Sequence, residues 1–228
     1  VAIMQTFQRL SKDPETGVII LTGTGRAFCA GVDLKELSGE RDVGADPLSD
    51  IDSFKAVEAV DACPVPVIGA INGFAVTGGF ELALACDLLV ASSEARFGDT
   101  HARVGLLPGW GLSQKLPRLV GILRAKEISL TGNFVEAHQA EAWGLVNRVV
   151  EPEALLPTCQ QLATDILSCV PEAIRGYKRV INEGFATTYE EGLKIEMEAT
   201  RMRGATTEQI ADRRSALQDR GRGQSEDQ

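Results

Sequence analysis

A chain of 228 residues, 44% hydrophobic and 24% charged, is long enough to bury a sizeable core and too apolar to be disordered by composition. Its 23 basic and 32 acidic residues leave a net charge of −9, which lacks the basic footprint that nucleic-acid binding requires. No apolar run reaches the roughly 20 residues needed to cross a bilayer, so no membrane partner is expected.

The elements follow in chain order. Val18-Ile19-Ile20-Leu21 is an apolar, β-branched run stopped by Thr22-Gly23-Thr24-Gly25, the pattern of a buried strand and a turn. Residues 50–62 read as a helix ended by Cys63-Pro64. A second buried strand covers 65–71, its start marked by Pro64 and Pro66, because proline cannot donate to a strand ladder. Asn72-Gly73 is a turn signal, and Thr77-Gly78-Gly79 leads into a short helix, FELALACD. Strands are expected at 88–91 and 95–98, then a glycine-rich loop to Gly111. Helices are expected at 112–121, 122–130 and 136–143, the last stopped by Gly144. A lone strand at 146–150 precedes helices at 153–169, 171–183, 188–202 and 206–219. Strands with crossovers followed by a run of helices indicate an α/β fold. The expected organisation is a core over 1–150, a helical region over 151–220 and a polar tail over 221–228.

Five cysteines (Cys29, Cys63, Cys86, Cys159, Cys169) form no CxxC pair and no metal-ligand spacing with His101 or His138. No metal site is expected. Free thiols suit a reducing compartment, and the expected location is cytoplasmic.

Two stretches place small residues after a buried strand and before a helix: LTGTGRAFCAGVDLKEL (21–37) and INGFAVTGGFELALACD (71–87). Glycine lets backbone amides approach a ligand, and a helix start offers unpaired N–H groups at the positive end of its dipole. Two such starts aimed at one oxygen would form an oxyanion hole. Either stretch alone reads better as a structural turn. A dinucleotide fingerprint fails, because Phe28 stands where Gly23-x-Gly25-x-x requires a small residue. No phosphate loop, no GxSxG elbow and no Tyr-x-x-x-Lys pair occur. Glu81 opens a helix that is apolar on nearly every face. Its composition leaves a buried acid with a task and a dipole-favoured first-turn glutamate equally open.

The blocks GRAFCAGVDLKEL, PVPVIGAINGFAVTGGFELALACDLLVAS, ARFGDTHARVGLLPGWGLSQKLPRLVG and LTG…EAHQAEAWGLVNRVV, in this order and spacing, resemble the signature blocks of the crotonase superfamily, the enoyl-CoA hydratase/isomerase family. The resemblance is continuous from about residue 18 to 150. It implies a ClpP/crotonase-like spiral of ββα units with a helical C-terminal trimerisation region, and a homotrimer or homohexamer. It implies an acyl-CoA thioester substrate and no cofactor beyond the coenzyme A that the substrate carries. Carried over residue by residue, it implies that the amides of Val32 and Gly78 hold the thioester oxygen and that Glu81 is a catalytic acid/base. Ala30, Gly31, Asp33, Leu34, Lys35 and Gly79 would line the substrate passage, and Trp110 would narrow the acyl pocket or serve as a structural tryptophan.

The chain departs from the pattern in two places. Where the hydratases carry a second glutamate, four residues past the Phe of FG, stands His101. Imidazole both donates and accepts, and its ordinary pKa of about 6.5 suits proton transfer near neutrality. A catalytic His101 and a merely polar loop residue both remain open, with Asp99 placed to orient it or to replace it. The second departure is the start: the chain opens inside a helix that the family precedes with a strand and turn, which implies a missing first part of the family core. The activity expected is addition of water to 2-enoyl-CoA thioesters. The alternatives are another enolate reaction (isomerisation, decarboxylation or thioester hydrolysis) and a non-catalytic acyl-CoA-binding homologue.

Overall fold

The computed structural model describes residues 2–31, 51–202, 206, 210–214 and 218. Val32, Asp33, Leu34 and Lys35, four of the residues singled out above, lie outside the described residues. Two compact units make up the chain, Val1–Arg175 and Gly176–Gln228.

In the first unit, helix α1 (Ala2–Leu10) precedes strands β1 (Ile19–Thr22) and β2 (Ala27–Cys29). Helix α2 (Ile51–Asp61) leads to β3 (Val67–Ile71), β4 (Phe74–Val76) and helix α3 (Gly78–Leu84). Strands β5 (Leu88–Ser92) and β6 (Arg96–Gly98) are followed by a short 3-10 turn, His101–Val104. Helices α4 (Leu112–Val120) and α5 (Ile122–Thr131), strand β7 (Val135–Glu136), helix α6 (Ala137–Ala142), strand β8 (Arg148–Val150) and helix α7 (Leu155–Leu167) complete the unit.

The strands form two four-stranded sheets, β1-β3-β5-β8 and β2-β4-β6-β7. The first is parallel throughout. In the second, β2, β4 and β6 are parallel and β7 runs antiparallel to β6. The pairs β1/β2, β3/β4 and β5/β6 therefore each give their first strand to the first sheet and their second to the second, each pair alongside the one before, and β7 and β8 reverse that order. This is the spiral of ββα units in physical terms.

Strand β3 is buried at all five positions. Val67 and Ile71 point into the main core, while Ile68 and Ala70 point into a second cluster with Val90, Leu155 and Cys159. A strand buried on both faces belongs at the centre of a parallel sheet, which explains its unbroken apolar sequence. Asn72 ties the two strand-to-strand turns together. Its side-chain oxygen accepts the Gly23 N–H at 3.0 Å, and its amide donates to the carbonyls of Gly25 at 3.0 Å and Ala27 at 3.3 Å.

The structure corrects the sequence reading in one respect. The glycine-containing stretches do not run directly from strand to helix: each contains a further three-residue strand, β2 or β4, that pairs in the second sheet. Helix α7 packs Leu155 and Cys159 onto the first sheet.

In the second unit, helix α8 (Pro171–Phe185) continues past Gly176 and is followed by α9 (Tyr189–Met202). A Cβ on Gly192 would stand 3.4 Å from the Cα of Gly184, so these two glycines let α8 and α9 approach closely. Residues 210–214 are helical, as expected, and most of the stretch around them lies outside the described residues. Among the described residues no helix is long and apolar enough to cross a membrane.

Candidate active site

The C-terminal ends of the parallel strands β2, β4 and β6 lie side by side and carry the site. Ligands of parallel sheets gather at such ends. After β2 comes exposed Ala30, then Gly31 at φ 85°. A Cβ on Gly31 would meet the Val76 carbonyl at 2.9 Å and lie 3.6 Å from the Gly78 nitrogen. The turn that leads into Val32 thus abuts the start of α3, and only glycine fits both the backbone angle and the space.

After β4 comes Thr77, the one non-glycine residue with positive φ (53°) among the described residues. A β-branched residue there stores about 1–3 kcal/mol of strain. Neighbours from the β6 side hold it: its N–H donates to the Gly98 carbonyl at 2.8 Å, and its hydroxyl lies 2.6 Å from that of Thr100. The strain delivers Gly78 and Gly79 as the first residues of a wholly buried helix. Helix starts leave N–H groups without intrahelical partners, and among the described residues no hydrogen bond to the Gly78 N–H is found. A Cβ on Gly79 would collide with the Cys29 carbonyl at 1.9 Å, so Gly79 supports the close packing of α3 on β2. The Trp110 ring lies against Gly78, 2.5 Å from where a Cβ would stand.

Glu81 sits in the first turn of α3 at 1% exposure. Its Oε1 accepts the N–H of Trp110 at 2.8 Å and of Leu112 at 3.3 Å. Leu112 is the first residue of α4, so the carboxylate faces a second helix start, whose dipole favours the anion. Burial dominates nonetheless. It pushes the Glu81 pKa up, the two backbone donors and the imidazole only partly offset it, and the nearby Asp99 charge adds to the rise.

His101 follows β6 at the head of the 3-10 turn and is 8% exposed. Its Nε2 is 3.8 Å from Glu81 Oε2, longer than a hydrogen bond. Its Nδ1 is 2.7 Å from Asp99 Oδ1, and the same oxygen accepts the His101 backbone N–H at 3.2 Å. Asp99 is 2% exposed. Burial pushes its pKa up, but the His101 ring, the Ser129 hydroxyl and the His101 backbone N–H together outweigh that and hold it below its ordinary value. Asp99 is thus favoured as an anion, whose oxygens only accept hydrogen bonds.

The structure brings together Glu81, His101, Gly78, Gly79, Gly31 and Trp110. His138 is exposed and plays no part. Sequence reasoning missed Thr100, Ser129 and the two N–H donors that hold Glu81. Backbone donors leave no side-chain signature; the only available signal was Gly111 immediately before a helix. Among the described residues no group of three or more His, Cys, Asp or Glu is arranged to hold a metal ion.

Comparison with known proteins adds four findings. The family model for enoyl-CoA hydratase/isomerase matches residues 2–218. A probable peroxisomal enoyl-CoA hydratase of Arabidopsis thaliana is 40% identical over 228 residues, spanning 97% of this chain and 83% of that protein. A crotonyl-CoA hydratase of Syntrophomonas wolfei is 38% identical over 208 residues, spanning 91% and 80%. Among solved structures, an enoyl-CoA hydratase from Bacillus anthracis superposes with a TM-score of 0.87 at 35% identity, covering 96% of this chain and 84% of that one.

Proposed function

This chain belongs to the enoyl-CoA hydratase/isomerase family, and from that premise we propose that it adds water across the double bond of 2-enoyl-CoA thioesters. The observation that carries the reading is the pairing of Glu81 with His101. Oε2 and Nε2 face each other 3.8 Å apart, close to a helix start whose first N–H has no partner among the described residues.

The thioester oxygen accepts the N–H groups of Gly78 and Val32, which stabilise the enolate that forms when the β-carbon is attacked. The position of Gly31 against Gly78 supports this pairing of amides. Glu81 takes a proton from water as the water oxygen bonds to the β-carbon. The raised Glu81 pKa makes it a stronger base than an ordinary carboxylate. His101, protonated at Nε2, delivers a proton to the α-carbon. The product gains the water hydroxyl at the β-carbon and the His101 proton at the α-carbon, and the water proton left on Glu81 passes to His101, so that one water is added in net. The pair holds one mobile proton, in place of the two-carboxylate arrangement of the hydratase pattern. Trp110 stands beside Gly78 and limits the space next to the thioester.

The same reading includes a homotrimer or homohexamer and a cytoplasmic location. Exposed apolar residues on α8 and α9 (Ile181, Phe185, Tyr189, Leu193 and Met197) support the first. Five free cysteines support the second.

The test is the loss of the enoyl absorbance of crotonyl-CoA. The unmodified protein is expected to consume it. Glu81→Ala and His101→Ala are each expected to lower the rate by about 10²–10⁴-fold, the range that general acid–base catalysis supplies. Unchanged hydration in His101→Ala would make the histidine a bystander.

A further inference from the structure

We propose that Asp99 is a positioning residue that fixes the tautomer of His101 and so leaves Nε2 as the only ring nitrogen able to exchange a proton with the site. The inference deepens the proposed hydration, on which its kinetic readout rests; its structural readout does not.

Three observations converge on it. First, one oxygen of Asp99 accepts both the backbone N–H and the ring Nδ1 of His101, at 3.2 and 2.7 Å. An aspartate two residues ahead of its partner forms this local turn, and here the turn also clamps the ring. Second, Asp99 is almost wholly buried, with no solvent to stabilise its charge, yet it is held as an anion by His101 and by the Ser129 hydroxyl. Ser129 lies on a helix packed against the 3-10 turn, so the anchor comes from a different element. Third, the other edge of the ring faces Glu81 of α3, with Nε2 3.8 Å from Oε2. Among the described residues, the charged groups around the imidazole are Glu81 on α3 and Asp99 on its own connection. Arg103, on the same 3-10 turn, directs its guanidinium to Asn133.

A neutral histidine has two tautomers, and the partner of one nitrogen decides the state of the other. An acceptor-only anion at Nδ1 excludes the Nε2-protonated form. The lone pair, or after protonation the N–H, then always points toward Glu81. If this were lost, the ring could present an N–H where the reaction needs a base, or a lone pair where it needs an acid.

The experiment is nitrogen NMR of histidine-labelled protein in alkaline buffer. The chain has two histidines, and His138→Gln assigns the signals. The unmodified protein is expected to show His101 as the Nδ1–H tautomer. In Asp99→Asn the side-chain amide can donate to Nδ1, and the signal is expected to move toward the Nε2–H form. On crotonyl-CoA the same variant is expected to lose about 10²–10⁴-fold in kcat with KM within about threefold. Ser129→Ala, which leaves Asp99 in place, is expected to give a mixed tautomer and a smaller loss in kcat, and it serves if Asp99→Asn fails to fold. An Nε2–H tautomer in the unmodified protein, or Nδ1–H retained in both variants, overturns the proposal. Absence of any hydration with the predicted tautomers intact would count against the hydratase reading and leave the positioning role standing.

Discussion

Glu81 and Asp99 are two carboxylates on opposite edges of one imidazole, and they titrate in opposite directions. Both are nearly inaccessible, at 1% and 2% exposure, and burial raises both. The difference lies in their donors. Asp99 receives the His101 ring, the His101 backbone N–H and the Ser129 hydroxyl, and ends below its ordinary value. Glu81 receives two backbone N–H groups, lies 3.8 Å from the ring, and ends above its ordinary value. The lesson is that burial alone does not assign a role. The count and kind of hydrogen bonds make one carboxylate a fixed counter-charge and the other a group that can hold a proton.

The sharpest way to break this comparison is Asp99→Asn, which removes the fixed anion. Asp99 has a folded pKa below its unfolded value, so its contribution is present above the ordinary 3.8 and disappears as pH falls through the folded pKa. The variant is expected to be less stable by about 1.5–3 kcal/mol at neutral pH, with the deficit closing in acid. Chemical denaturation at a series of pH values measures this.

Glu81→Gln is expected to behave in the opposite way. Its folded pKa lies above the unfolded value, so the unmodified protein is best stabilised below the ordinary 4.5 and loses that contribution as pH rises through the folded pKa. Glutamine keeps an acceptor for the Trp110 and Leu112 N–H groups and carries no charge. The variant is expected to gain roughly 0.5–2 kcal/mol at neutral pH, with no gain in acid, while losing activity. A loss of stability at neutral pH would show that the two acids are alike. The smallest effect is expected from Ser129→Ala, which removes one of the donors to Asp99. It should cost about 1 kcal/mol at neutral pH and nothing once Asp99 is protonated.

The first sheet was legible in the sequence because its strands are apolar runs with clear stops. Residues 18–21, 65–71, 88–91 and 146–150 each correspond to β1, β3, β5 or β8 within a few residues. The second sheet was less so. Strand β6 was expected, but β2 and β4 are three residues long and sit among glycines, so their pairing depends on neighbours distant in sequence. Glu81 was legible as an acid in an apolar helix. Its contact with His101 came from the family spacing, and the structure supplies the distance. The orienting place of Asp99 could be read from its position two residues ahead of His101. Ser129 could not, because a serine thirty residues away on an amphipathic helix looks like any surface position. Val32, proposed as the second oxyanion donor, lies outside the described residues.

The most direct test of the account is a structure with an acyl-CoA thioester bound. The account predicts the thioester oxygen about 2.7–3.1 Å from both the Gly78 and Val32 nitrogens, with the α- and β-carbons between Glu81 and His101. A thioester seated elsewhere, or a Val32 amide already bonded within the protein, would contradict it.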